Sequence, residues 1–148
     1  MNFVQLEHFP IMGVQIRTSN AREAEIGKLW ERFMKEGIAG EIPDKADSSV
    51  IAFYSNYARD ENGEYDFLLG AKVKGVSAVP PGMVLKNAPT SRYAVFRAEP
   101  GTPAKVVPEL WRKIWAEPRT GDYTRSYQGD FELYRAESPV EIYIAVRD

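Results

Sequence analysis

Asp130-Phe131-Glu132-Leu133-Tyr134 is the segment whose residue types and spacing best support chemistry. Side chains alternate along a strand, so Asp130, Glu132 and Tyr134 share one face and Phe131 and Leu133 take the other. Reading Ser138-Pro139 as a two-residue turn sets Tyr134 opposite Tyr143 and Glu132 opposite Ala145. Phe131 and Leu133 then join Ile142, Ile144 and Val146 on the face a helix would cover. In an earlier hairpin, Asn62-Gly63 as the turn sets Tyr54 opposite Ala71. Tyr54, Glu132, Tyr134 and Tyr143 are thus expected to meet on an open sheet face. A carboxylate walled by rings suits an organic cation, each ring adding roughly 0.5–2 kcal/mol through cation–π contact when desolvated. The carboxylate supplies the charge that a buried cation otherwise lacks. Burial would raise the pKa of Glu132, and a tyrosine hydroxyl donating to it would oppose the rise.

Other chemistries are poorly supplied. The chain has no cysteine, which removes thiol catalysis, disulfides and thiolate metal sites. Its one histidine, His8, rules out a polyhistidine metal site and leaves a Ser-His-Asp triad a single base. No GxGxxG, Walker loop, GxSxG or calcium-loop spacing occurs. No metal or cofactor is therefore expected. Nineteen basic and 21 acidic residues leave a formal charge of -2, against the basic excess of a nucleic-acid surface. No apolar run nears the roughly 20 residues of a membrane span, and the N-terminus lacks a signal peptide's basic and apolar regions. A cytoplasmic location follows as the expectation. The 3 Trp, 8 Tyr and 7 Phe residues favour a binder over a catalyst.

These side chains need elements to position them, and 148 residues suffice for one self-supporting core. Residues 3–18 read as a strand with a bend or bulge at Pro10 and Gly13. Asn20 and Glu23 resemble a capping box, Ile26, Leu29, Trp30, Phe33 and Met34 recur at helical spacing, and Gly37 closes the helix. Val50 to Tyr57 and Tyr65 to Val73 read as strands. Val79-Pro80-Pro81-Gly82 breaks the chain near its middle, and the pattern then repeats. Strand arms flank Ala88-Pro89, and a helix follows Thr102-Pro103 with Val107, Leu110, Trp111, Ile114 and Trp115 on its face. Pro108 is placed in that helix's first turn and Pro118 at its end. The last pair of strands spans Asp130 to Ala136 and Val140 to Val146. The expectation is an α+β chain, residues 1–148, of two β-α-β-β modules (1–78 and 82–148) about a pseudo-two-fold axis. Antiparallel sheets would carry the helices on one face.

Blander assignments compete for the same residues. A lone strand glutamate is ordinarily solvated, and Tyr134 with Tyr143 could be a simple cross-strand pair. Trp30 reads as core, whereas Trp111 and Trp115 fit core and ligand contact equally.

Five stretches together resemble the GyrI-like effector-binding domain, a duplicated strand-helix-strand-strand (SHS2) module. It also forms the C-terminal part of multidrug-responsive transcription activators of the AraC and MerR types. The stretches are Gly63-Glu64-Tyr65-Asp66-Phe67-Leu68-Leu69-Gly70, Pro81-Gly82-Met83, Tyr93-Ala94-Val95-Phe96, Leu110-Trp111 with Ile114-Trp115, and Asp130 to Tyr134. The resemblance implies that Glu132 is a buried acid meeting lipophilic cations. It also implies that Tyr54, Tyr134, Tyr143, Trp111 and Trp115 stack on the ligand. With a first strand near residue 3, a preceding DNA-binding portion is not expected, so the reading is a stand-alone ligand-binding domain without direct nucleic-acid contact. A regulator chain or a topoisomerase would be its protein partner. Hydrolysis of electrophilic toxic compounds, with Glu132 and a tyrosine as acid and base, is the alternative.

Overall fold

Helix α1, Glu23–Lys35, forms where the apolar spacing places it, burying Leu29 and Phe33 while Ile26 and Trp30 pack partly buried beside them. The computed structural model describes residues 2–75, 78–116 and 123–148. Met34, expected on the buried stripe, is 69% exposed, because a covered face about 100° wide does not reach it. Gly37 ends the helix in the left-handed region at φ 63°, its N–H donating to the Met34 carbonyl at 3.3 Å. The expected capping box is absent. Asn20 lies in a 3-10 turn, Asn20–Arg22, and its amide works elsewhere. Its Oδ1 accepts from the Tyr65 hydroxyl at 2.7 Å and its Nδ2 donates to the Glu61 carbonyl at 2.7 Å.

Helix α2, Pro103–Ala116, begins on Pro103, whose missing N–H costs nothing at a first helical position. Pro108 therefore falls inside the helix and not in its first turn, where it removes one backbone hydrogen bond. Val106, Val107, Leu110, Trp111 and Ile114 are buried, and Trp115 is 40% exposed. Pro118 lies outside the described residues.

Eight strands make one antiparallel sheet: β1 Asn2–Leu6, β2 Phe9–Ser19, β3 Val50–Ser55, β4 Glu64–Lys72, β5 Val84–Ala88, β6 Ser91–Arg97, β7 Asp130–Tyr134 and β8 Glu141–Val146. Their order is β1-β6-β8-β7-β3-β4-β2-β5, which maps onto itself when the two halves are exchanged. The pseudo-axis passes between β3 and β7. Each half also lends its first strand to the other, since β1 pairs with β6 and β5 with β2. The expected bend at Pro10 and Gly13 is not the break; the chain leaves β1 at Glu7-His8 and runs unbroken through β2.

Gly13 and Gly70 explain that continuity. They stand opposite one another, and a Cβ on either would collide with a carbonyl of the facing strand. Gly13→Ala should therefore force β2 and β4 apart and cost about 3 kcal/mol, read as a lower urea midpoint.

The sheet curls. Phe9 on β2 meets Phe131 on β7 at 5.5 Å, and Lys86 Nζ on β5 reaches Ser55 Oγ on β3 at 3.1 Å, each across two intervening strands. The curled face holds Ile11, Ile51, Phe53, Leu68, Tyr93 and Phe131. Both helices pack on the opposite face, over a larger core that includes Met12, Phe67, Ile142 and Ile144.

Candidate functional site

Register decides which face Glu132 occupies. β7 and β8 pair as Phe131↔Tyr143, Glu132↔Ile142 and Leu133↔Glu141, not with Tyr134 opposite Tyr143 or Glu132 opposite Ala145. The connection is longer than a two-residue turn and places Glu137 in the left-handed region at φ 61°. The shift is an odd number of residues, so every side chain on β7 changes face relative to β8. Glu132 consequently lies under the helices beside Ile142, and Phe131 and Leu133 lie on the curled face. The first hairpin is also displaced, with Tyr54 opposite Phe67 and not Ala71.

On the helix side, Glu132 is 2% exposed and surrounded by donors carried on rings. Its Oε2 accepts from the Tyr54 hydroxyl and from the Trp111 indole Nε1, each at 2.7 Å. Its Oε1 accepts from the Tyr134 hydroxyl at 2.6 Å. Three elements supply these donors: Tyr54 from β3, Trp111 from α2, and Tyr134 two residues along Glu132's own strand. Behind them, Tyr65 and Phe67 stand 5.3 and 5.1 Å from the Tyr54 ring, and Trp30 of α1 lies 4.8 Å from Tyr134. Trp111 and Trp115 are 5.9 Å apart, leading from the carboxylate towards solvent.

Burial raises the pKa of Glu132, and the hydrogen bonds from Tyr134, Trp111 and Tyr54 pull it back only in part. Burial and the Glu132 charge in turn push Tyr54 and Tyr134 upward, so both hydroxyls keep their protons as donors. Among the described residues, no ion pair involves Glu132. Among those residues its carboxylate is held by neutral donors alone.

Asp130 provides the contrast. Two residues away on the same face and 0% exposed, it accepts from Arg125 Nη2 at 2.8 Å, Tyr57 OH at 2.5 Å and the Ala145 amide at 2.8 Å. The Arg125 guanidinium lies over the Tyr127 ring at 4.3 Å and the Trp111 ring at 6.0 Å. One of two adjacent buried carboxylates thus has an internal organic cation, seated partly on the same indole that donates to the other.

Of the six residues singled out from sequence, Glu132, Tyr54, Tyr134 and Trp111 are in mutual contact, and Trp115 extends them outward. Tyr143 does not join them. It stacks on Phe131 at 4.5 Å on the curled face, and its hydroxyl donates to Glu141 at 3.2 Å. Trp30 packs against the core as expected and also touches Tyr134. Sequence reasoning missed two contributors, Tyr65, which links the Tyr54 wall to Asn20, and Arg125. Arg125 comes from a segment with no periodic signal, whereas Asp130 was already on the right face by alternation.

The family model for integron-associated effector binding proteins, Cass2, matches residues 2–146. This chain belongs to that family. The GyrI-like α+β architecture expected from the motifs is the observed one. An integron cassette protein from the mobile metagenome of Vibrio cholerae superposes with a TM-score of 0.81 at 31% identity. That match covers 99% of this chain and 95% of the other. The putative transcriptional regulator protein YobU of Bacillus subtilis (strain 168) is 31% identical over 161 residues, covering 99% of both chains. SAV2435, solved bound to tetraphenylphosphonium, shares the fold with a TM-score of 0.79 at 17% identity, covering 99% and 93% of the two chains. No described helix is long and apolar enough to cross a membrane.

Proposed function

We propose that this effector-binding domain takes up amphipathic organic cations, with the Glu132 carboxylate as counter-charge and Tyr54, Tyr134, Trp111 and Trp115 as walls. The observation that carries the reading is a buried carboxylate held by three ring-borne donors, with no ion-pair partner among the described residues. Keeping such a charge from water is costly, and a lipophilic cation offsets that cost directly. Arg125 against Trp111 and Asp130 gives an example of the same chemistry inside this molecule. The tetraphenylphosphonium bound by SAV2435 supplies a probe of the right class.

The cation would displace one or more of the donors from Glu132, and Trp111 is the one donor carried on a helix and not on the sheet. Ligand binding is then recorded as a change at α2, which suits a domain that reports effectors to another module. We place the whole of residues 1–148 in one such domain, with its repeats meeting near residues 79–82.

Titration of intrinsic tryptophan fluorescence with tetraphenylphosphonium tests the reading against triphenylphosphine oxide, a neutral analogue. The cation should quench saturably and the neutral compound should not. Equal responses to both, or to neither, would overturn it.

A pH dependence follows from the raised pKa of Glu132, which lies above the ordinary 4.5 in the free protein. A bound cation favours the ionised form, so binding releases a proton when the free carboxyl is still protonated. Affinity should therefore fall as pH drops through the raised value, and calorimetry in buffers of differing ionisation enthalpy should register proton release there. The ligand-free fold responds in the opposite sense. It binds this proton more tightly than the unfolded chain does, so its stability declines as pH rises from the ordinary value through the raised one.

A further inference from the structure

The caged carboxylate lies between two ring pairs that the repeat makes equivalent. Ala52 and Glu132 face one another across the β3–β7 pair, and Tyr54 and Tyr134 each stand two residues further along their strands. Trp30 in Lys28-Leu29-Trp30 and Trp111 in Glu109-Leu110-Trp111 hold matching places on α1 and α2, each after a buried leucine. Trp111 packs on Tyr54 at 5.3 Å, and Trp30 packs on Tyr134 at 4.8 Å. The hydrogen bonds break this symmetry. The Trp111 indole donates to Glu132 Oε2 beside the Tyr54 hydroxyl, whereas the Trp30 indole donates to no group among the described residues. Oε1 accepts from Tyr134 alone among them. A carboxylate offers about four acceptor positions, so the one that no described donor takes belongs to Oε1. This is also the more open side, since Trp30 and Tyr134 are half-buried while Tyr54 and Trp111 are buried.

We propose that the site selects protonated lipophilic amines, cations that carry an N–H, and that Trp30 is the wall on which the charged head rests. This rests on the reading of Glu132 given above and narrows its ligand class. The ligand N–H donates to Glu132 Oε1, taking on the α1 side the part that Trp111 Nε1 plays on the α2 side. The head lies against the Trp30 ring beside Tyr134, where cation–π contact adds to a charge-assisted hydrogen bond. An N–H head restores to Glu132 a hydrogen bond that its entry displaces. A quaternary ammonium or phosphonium head keeps the charge attraction and has no hydrogen to give.

The test titrates a matched pair of probes calorimetrically, protonated dimethyldecylamine and decyltrimethylammonium, which differ by an N–H in place of an N-methyl group. The ratio of their affinities is compared between the wild type and Glu132→Gln, because the solvation of the free probes cancels from that comparison. Glu132→Gln should weaken both probes and lower the preference for the amine by about tenfold, since the new amide nitrogen stands at the Oε1 position and cannot accept. Trp30→Leu should weaken both probes by about threefold or more, and Trp30→Phe, which keeps a ring, should restore most of that loss. If Glu132→Gln weakens both probes equally, the selection for an N–H is overturned while Glu132 stands as counter-charge. If it weakens neither, the reading of Glu132 fails and the amine class with it. Wild-type affinity for both probes in Trp30→Leu would overturn the placement of the head against Trp30.

Discussion

Replacing Glu132 by Gln is expected to lower the affinity for tetraphenylphosphonium by about 30-fold or more. A buried hydrogen-bonded charge pair loses about 2–5 kcal/mol when one partner is removed, and the bound cation would keep its rings but lose its counter-charge. The substitution is nearly isosteric. A Gln carbonyl in the Oε2 position still accepts from Trp111 Nε1 and the Tyr54 hydroxyl, and the Tyr134 hydroxyl can rotate to accept from the new amide. Folding should survive, with a urea midpoint equal to or above that of the wild type, because a desolvated charge has been removed. Calorimetric affinities together with urea curves measure both quantities. An unchanged affinity in a folded variant would take Glu132 out of the account.

Asp130→Ala should have the largest effect on stability, a loss of about 3–5 kcal/mol. It strips the nearer counter-charge from Arg125, whose side chain is only 11% exposed and whose other carboxylate, Glu61, stands at 3.9 Å, and it leaves the Tyr57 hydroxyl and Ala145 amide without their acceptor. A coupled pair, Asp130→Asn with Arg125→Met, should cost less than the sum of the single changes, since neither leaves an orphaned charge when both are made. Urea denaturation of the four proteins completes the cycle. A loss below about 1 kcal/mol for Asp130→Ala would mean that Arg125 finds another partner. The opposite expectations for Glu132 and Asp130 follow from their partners. Asp130 neutralises a resident cation, whereas on the proposed reading Glu132 would receive a visiting one.

Local signals in the sequence were enough to place the elements and not enough to place the faces. Periodicity located both helices, although the second starts at Pro103, a turn before the expected start near Pro108, and Gly37 stopped the first helix where its left-handed φ requires. Turn chemistry was the weak step. Ser138-Pro139 does not make a two-residue hairpin, and Leu133↔Glu141 pairing reverses the faces assigned to β7. Tyr134 kept its place because a residue two along the same strand shares Glu132's face under any register. Tyr143, assigned to the site by that register and by the resemblance, falls instead opposite Phe131 on the curled face. Tyr54 reached Glu132 for a reason of symmetry: β3 and β7 flank the pseudo-axis and pair directly, whatever the hairpin registers. The swap of β1 and β5 between halves left no mark in local spacing, because it depends on contacts distant in sequence. Arg125 was invisible for a related reason, lying in irregular chain that meets β8 only through an isolated bridge to Val146.

The most direct measurement of the central claim is the position of tetraphenylphosphonium in a co-crystal with this protein. The account predicts the phosphonium beside the Glu132 carboxylate, its phenyl groups against Tyr54, Tyr134 and Trp111, with the Trp111 indole drawn away from Glu132. A cation bound elsewhere, with the three donors still closed on an undisturbed Glu132, would contradict it.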